Sequence, residues 1–197
     1  YVAKKMGLPI NKLIIATNSN DILKRVVKTG IYKPLEVKQT VSPSMDIQVA
    51  SNFERLIFDV TGCKSNKTLK LMKDLNEKGE FKLEEEELKK IRESFYTESS
   101  SEIETRSVIK ETYKKYKILI DPHTAVAMSV IEKISLEGKT VVLATAHPSK
   151  FSDVVKKETG INPELPENLK NILVEKEKYE KIPNDLKKIK NYILGKV

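Results

Sequence analysis

The sequence predicts an α/β fold, part of a three-layer, open, mostly parallel sheet flanked by helices. Three observations predict it. Short unbroken apolar runs at 13–17, 118–120 and 140–145 have no polar face, as expected of strands covered by helices on both sides. Each run stops abruptly at polar residues, and the first two lead straight into a helical pattern. The runs at 118–120 and 140–145, with a helical stretch between them, span 118–145, the length of a right-handed crossover that would make the two strands parallel neighbours.

Taken in order, residues 1–6 read as the last turns of a helix closed by Gly7, with no N-cap ahead of it, as if the chain were cut mid-helix. Leu13–Thr17 is the first strand. Asn20 or Asp21 then caps a helix with Ile22, Leu23, Val26 and Val27 on one face and Gly30 as its stop. Residues 36–61 are predicted to repeat the unit, with a dense polar tip of Thr40, Ser42, Ser44 and Asp46, then Ser51, Asn52 and Arg55. Such hydroxyls and amides beside freed backbone N–H groups suit an anion, and Arg55 adds a charge. The alternative is that Ser42 or Ser44 only caps the helix carrying Phe53, Leu56 and Ile57.

Residues 64–116 change character and read as a helical insertion. Its apolar stripes are Leu69, Met72, Leu75 and then Leu88, Ile91, Phe95, with Glu85–Lys89 and Glu86–Lys90 pairs four apart. Ser94 to Ser107 reads as a loop, or as the lead into a helix over 99–115. Asp121 and Pro122 start the next helix, whose buried stripe is Val126, Val130, Ile131 and Ile134 and whose end is Gly138. The strand at 140–145 follows and delivers Thr145, His147 and Ser149 to its carboxyl end, where ligands of open α/β sheets sit. A helix ending at Gly160, a proline-bearing loop and a last helix packing through Leu186, Ile189, Tyr192 and Ile193 complete the chain. The domain boundaries drawn from this are 1–63 and 117–162 for the α/β part, 64–116 for the insertion and 163–197 for a C-terminal tail.

Composition excludes several classes. At 197 residues and 39% hydrophobic content the chain can bury a core. No run approaches the roughly 18 apolar residues of a membrane span, and the start lacks the apolar centre of a signal peptide. The single cysteine, Cys63, makes neither a disulfide framework nor a zinc site, so a reducing cytoplasm is expected. The net charge of +8 comes almost wholly from lysine, with arginine only at 25, 55, 92 and 106, and reads as solvated surface rather than a nucleic-acid footprint. The two histidines have no metal-ligand spacing, no Gly-x-Ser-x-Gly elbow occurs, and seven glycines hold no phosphate loop. From chemistry alone, the chain is part of an α/β domain that presents hydroxyls and amides to a small anionic ligand.

Five segments in order extend this: Ile15-Ala-Thr-Asn-Ser-Asn-Asp21, Thr40-Val-Ser-Pro-Ser-Met-Asp-Ile47, Ser51-Asn-Phe-Glu-Arg55, Asp121-Pro-His-Thr-Ala125 and Leu143-Ala-Thr-Ala-His-Pro148. Together they resemble the C-terminal half of threonine synthase, in the longer form of many bacteria and fungi, which has a helical insertion where 64–116 stand. The resemblance implies a tryptophan synthase β-like, fold type II architecture with pyridoxal 5'-phosphate in a cleft. It implies conversion of O-phospho-L-homoserine and water to L-threonine and phosphate by γ-elimination and β-addition of water. It also implies that Thr145 hydrogen-bonds the pyridine nitrogen of the cofactor. Asn18, Asn20, Ser42, Ser44, Asp46, Asn52, Arg55 and His147 match family segments near the cleft, and Asp121 and His123 are expected to fix a strand-to-helix turn.

The resemblance places no catalytic residue on this chain. The family's Schiff-base lysine lies in a Phe-Lys-Asp segment that does not occur here, and Phe81-Lys82-Leu83 is not a match. That lysine and the phosphate-binding glycines are expected upstream of Tyr1, so the N-terminal half of the same enzyme is expected to complete the fold, and the chain alone is expected to be inactive. Two alternatives stay open: another fold type II lyase, of the serine or threonine dehydratase kind, and a non-enzymatic basic α/β binding domain. No metal, nucleic-acid or membrane partner is expected.

Overall fold

The computed structural model describes residues 1–135, 138–172 and 174–196, which fall into two units, 1–163 and 164–197. In the first unit a short helix α1 (Val2–Lys5) ends ahead of Gly7, which takes φ +97°. Strand β1 (Leu13–Thr17) and helix α2 (Ile22–Thr29) follow as the apolar run and the 3.6-residue stripe require. Gly30 ends α2 in the left-handed region at φ +76°, and a Cβ there would lie 3.2 Å from Leu88 Cδ2, so both conformation and space ask for glycine.

β2 (Ile31–Tyr32) leads through an extended stretch to a 3-10 turn (Pro43–Met45), then α3 (Phe53–Val60) and α4 (Ser65–Lys78). β3 (Phe81–Lys82) pairs antiparallel with β2, placing Tyr32 opposite Phe81. α5 (Glu85–Ser94) starts with a capping box between Glu84 and Glu87, and α6 (Glu102–Tyr116) with one between Ser101 and Glu104. Between them β4 (Phe95–Ser99) runs parallel to β1, in register from Leu13↔Phe95 to Thr17↔Ser99. α7 (Pro122–Glu132), a 3-10 turn (Pro148–Phe151) and α8 (Ser152–Thr159) close the unit. The second unit holds a 3-10 turn (Glu167–Leu169) and α9 (Leu186–Leu194), capped by Asp185, which accepts from the Lys188 N–H at 2.8 Å.

The main core lies where α2, α3, α5 and the β2–β3 pair meet. Ile22, Val26, Ile57 and Ile91 are buried there, and the Tyr32 ring stacks on Phe81 at 4.8 Å and on Phe53 at 5.6 Å. Each such side chain contributes about 1.5–3 kcal/mol by leaving water. A second cluster, Val108, Ile109 and Ala125, joins α6 to α7, with Ile120, Met128 and Val154 against it.

Several expectations change. The runs at 118–120 and 140–145 take no regular secondary structure and form no ladder among the described residues, and Ile118, Val141 and Leu143 are exposed, the last two by 83% and 74%. Neither has a strand beside it among the described residues, and an apolar run becomes a strand only when a neighbour takes its N–H and C=O groups. The crossover is therefore present as its helix alone, and α7 ends at Glu132, short of Ile134 and of Gly138; Leu136 and Glu137 lie outside the described residues.

The 36–61 stretch has no strand either. Neither Ser42 nor Ser44 caps α3, whose N-cap position is Asn52 with no side-chain bond. The stretch read as a loop at 94–107 contains β4, because α5 stops at Ser94 and Phe95 turns into the extended region to join the core. In α4 the buried positions are Thr68 and Leu71, with Met72 and Leu75 packed behind, while Leu69 faces outward. Glu86 pairs with Lys90 at 2.9 Å as spaced, but Glu85 reaches Arg92 instead of Lys89. In α9 only Ile189 and Tyr192 are half-buried within their unit, and Leu186 and Ile193 are exposed.

Candidate functional site

The carboxyl end of β1 opens onto a cluster of polar side chains drawn from two segments. Asn18, 2% exposed, follows the last strand residue, and its amide donates to Thr40 Oγ1 (2.8 Å), Ser42 Oγ (3.0 Å) and Asp46 Oδ1 (2.7 Å). Its carbonyl oxygen accepts the Asn20 backbone N–H at 2.8 Å. Asn20 donates to the Lys38 carbonyl (2.8 Å) and to Asp46 Oδ1 (3.0 Å), and its own carbonyl oxygen accepts the Lys38 N–H. Asp46 also accepts from Thr40, through the backbone N–H at 2.8 Å and the hydroxyl at 2.7 Å. No lysine or arginine pairs with Asp46 among the described residues; amides and a hydroxyl satisfy the carboxylate instead.

The cluster pins both ends of the 38–46 loop to the end of β1. Ser42 sits inside it, buried, whereas the Ser44 side chain is exposed and its hydroxyl makes no hydrogen bond among the described residues. The Ser44 backbone N–H, orphaned at the start of its 3-10 turn, goes to Nε2 of His123 at 3.3 Å. His123 and Asp121 meet at 2.9 Å through Nδ1 and Oδ1. Asp121 also caps α7 by accepting the His123 N–H and the Thr124 N–H and hydroxyl. Phe151 packs against the His123 ring, centroids 4.7 Å apart. The turn that carries Phe151 is started by His147, whose Nδ1 lies 2.7 Å from Ser149 Oγ.

The structure thus brings together Asn18, Asn20, Ser42 and Asp46, and joins Ser44 to them through its turn. It leaves Asn52 and Arg55 exposed on α3, outside this network. Thr145 is exposed, at the end of the unpaired run and two residues before His147. Sequence reasoning overlooked Gln48, which is buried, donates to Asn20 at 3.4 Å and accepts from Arg25 at 2.9 Å. It also gave His123 no part beyond its turn, since the bond to Ser44 crosses 79 residues and no local pattern announces it.

Nearby, Glu98 on β4 receives Lys24 and, at 3.1 Å, Lys28. Burial pushes its carboxyl up, but the Lys24 ammonium, the Ser99 N–H and Lys28 together outweigh that and hold it down at about 2.

A polar loop tied to a strand end is common to many α/β proteins, and comparison with known proteins decides among them. Residues 124–193 match the family model described as threonine synthase, C-terminal. The chain is 36% identical over 196 residues to the threonine synthase of Pseudomonas aeruginosa, covering 98% of this chain and 42% of that protein. The chain matches the C-terminal portion of threonine synthase. In three dimensions it superposes on a pyridoxal-phosphate-bound threonine synthase from Brucella melitensis with a TM-score of 0.87 at 45% identity, over 98% of this chain and 42% of that one. The yeast threonine synthase gives 0.81 at 34% identity, over 100% of this chain and 45% of that one. The chain therefore spans less than half the length of the threonine synthases it matches, and its α/β class is theirs.

Proposed function

We propose that this chain is the C-terminal portion of an enzyme that converts O-phospho-L-homoserine and water to L-threonine and phosphate with pyridoxal phosphate. The observation that carries the reading is the likeness along 98% of the chain to a threonine synthase solved with that cofactor bound. On this reading 1–63 and 117–162 belong to the cofactor-binding domain, 64–116 is an insertion and 163–197 a tail. The N-terminal part of the enzyme supplies the covalent lysine and the phosphate loop, so the 197-residue chain by itself is inactive. No helix among the described residues is long and apolar enough to cross a membrane, and the reading places the enzyme in the cytoplasm.

The residues present fit one end of the cofactor. Thr145 offers an exposed hydroxyl with no protein partner among the described residues, the donor that a pyridine nitrogen needs. Pyridoxal phosphate, when bound, supplies the electron sink for carbanion chemistry. A hydroxyl donates to the ring nitrogen without supplying the negative charge by which an aspartate would hold that nitrogen protonated. For the substrate, the exposed Ser44 hydroxyl and the Arg55 guanidinium are available to an anion, and the exposed His147 starts the turn whose Phe151 packs on His123. The amides of Asn18 and Asn20 are already engaged by Asp46, so their part is to shape the loop that carries Ser42 and Ser44.

The test is a visible absorbance titration with pyridoxal phosphate, with phosphate release from O-phospho-L-homoserine, on this chain and on the complete protein. Colour and phosphate release in the complete protein support the reading; colour without release points to another lyase of the same fold, and neither removes it.

A further inference from the structure

We propose that His123 is a positioning residue that aims the Ser44 hydroxyl at the phosphate of the bound substrate. This rests on the function proposed above. Ser44 sits in the middle of a turn held at two points. At one end Asp46 is fixed by Asn18, Asn20 and Thr40. The second point is Ser44 itself, whose N–H has no acceptor within its own turn, where Met45 bonds to the Ser42 carbonyl and Asp46 to that of Pro43. His123 Nε2 is its acceptor, from a ring 8% exposed at the start of α7.

An imidazole nitrogen accepts only when it carries no proton, so the bond to Ser44 requires the Nδ1–H tautomer. Asp121 enforces that tautomer. Its Oδ1 accepts a hydrogen bond from Nδ1–H at 2.9 Å, and its own orientation is set by the His123 and Thr124 N–H groups and the Thr124 hydroxyl, while the residue is 1% exposed. Phe151 packs against the ring, tilted to it by 55°. His123 is thus the joint through which α7 and the turn after Thr145 both bear on the loop that presents Ser44. The ring never meets the ligand in this account; it sets where the serine stands.

Two substitutions separate position from bulk. The glutamine amide of His123→Gln reaches the place of Nε2 and can offer its oxygen to Ser44, whereas the asparagine of His123→Asn reaches only the place of Nδ1. In the complete protein with cofactor, His123→Asn is expected to raise KM for O-phospho-L-homoserine tenfold or more while kcat changes less than threefold, and His123→Gln to recover most of that loss. Amide exchange at Ser44 gives a readout independent of turnover: protection retained in His123→Gln and lost in His123→Asn.

Equal impairment of the two variants, with similar thermal midpoints, overturns the proposal, as does wild-type KM in both. If the wild-type protein releases no phosphate from the substrate, the proposed function fails and the ligand of Ser44 with it. The Ser44 exchange rates then decide alone whether His123 holds the turn.

Discussion

Asn18 Nδ2 and Asp46 Oδ1 stand 2.7 Å apart, joining the end of β1 to a loop 28 residues further on. This carboxylate accepts four hydrogen bonds without a cationic partner among the described residues, so within the protein amide and hydroxyl dipoles hold it. Asp46→Asn replaces one accepting oxygen with a donor that faces other donors. The complete protein is expected to lose about 2–3 kcal/mol, read as a lower urea midpoint with unchanged slope. An unchanged midpoint would show that the loop holds itself without the carboxylate.

Glu98 predicts a pH dependence. Its folded pKa is about 2 against an ordinary 4.5, so the folded state favours the charged form. Its stabilising effect is complete above pH 4.5 and drains away as pH falls through 4.5 toward 2. Glu98→Gln should lose about 1–2 kcal/mol at pH 7 and match the wild type near pH 2, in paired denaturation curves. A gap that persists at pH 2 would assign the loss to packing instead.

Gly30 and Gly62 separate two reasons for a glycine. Both have φ near +75°, but only at Gly30 does a new Cβ meet a neighbour, Leu88 Cδ2 at 3.2 Å. Gly62→Ala is expected to cost about 1 kcal/mol from backbone strain. Gly30→Ala should cost about 2–3 kcal/mol, since Leu88 is buried in place. Equal midpoints for the two variants would show that Leu88 yields freely.

Tyr32 combines a stacked ring with a hydroxyl that accepts the Ala50 N–H at 2.8 Å. Tyr32→Phe strands that N–H and should cost about 1–2 kcal/mol; Tyr32→Ala also removes the ring between Phe53 and Phe81 and should cost about 3–5 kcal/mol. Calorimetry on the complete protein reads both, and a Tyr32→Phe variant as stable as wild type would mean that water satisfies Ala50.

Thr145 is a test of ligand chemistry apart from stability. Being exposed, it can change to Val with less than about 0.5 kcal/mol effect on folding. Pyridoxal phosphate affinity in the complete protein should fall about tenfold in Thr145→Val and stay within about threefold in Thr145→Ser, by absorbance titration. Loss in neither variant would remove the hydroxyl from the cofactor site.

What the sequence revealed follows from how local each signal is. β1 was readable because Leu13–Thr17 is apolar throughout and ends at Asn18. β4 was not, because Tyr96 and Glu98 break the apolar pattern, and Glu98 has a purpose that only the folded neighbours Lys24 and Lys28 disclose. The polar tips at 18–20 and 40–46 stood out by composition, yet only coordinates show that they bind one another. His123 illustrates the limit: a cap motif explains its backbone, while its ring answers to Ser44 far along the chain.

The bare stretch from Thr140 to Thr145 has a consequence for handling the protein. Val141 and Leu143 project into water from a backbone that pairs with nothing among the described residues. Such a segment is a template: it will accept a strand from whatever chain meets it first. Produced on its own, this polypeptide should therefore be sticky in proportion to its concentration, prone to sediment with its copies and to be gripped by chaperones that hold extended apolar peptides. Its solubility is thus a property of the company it keeps.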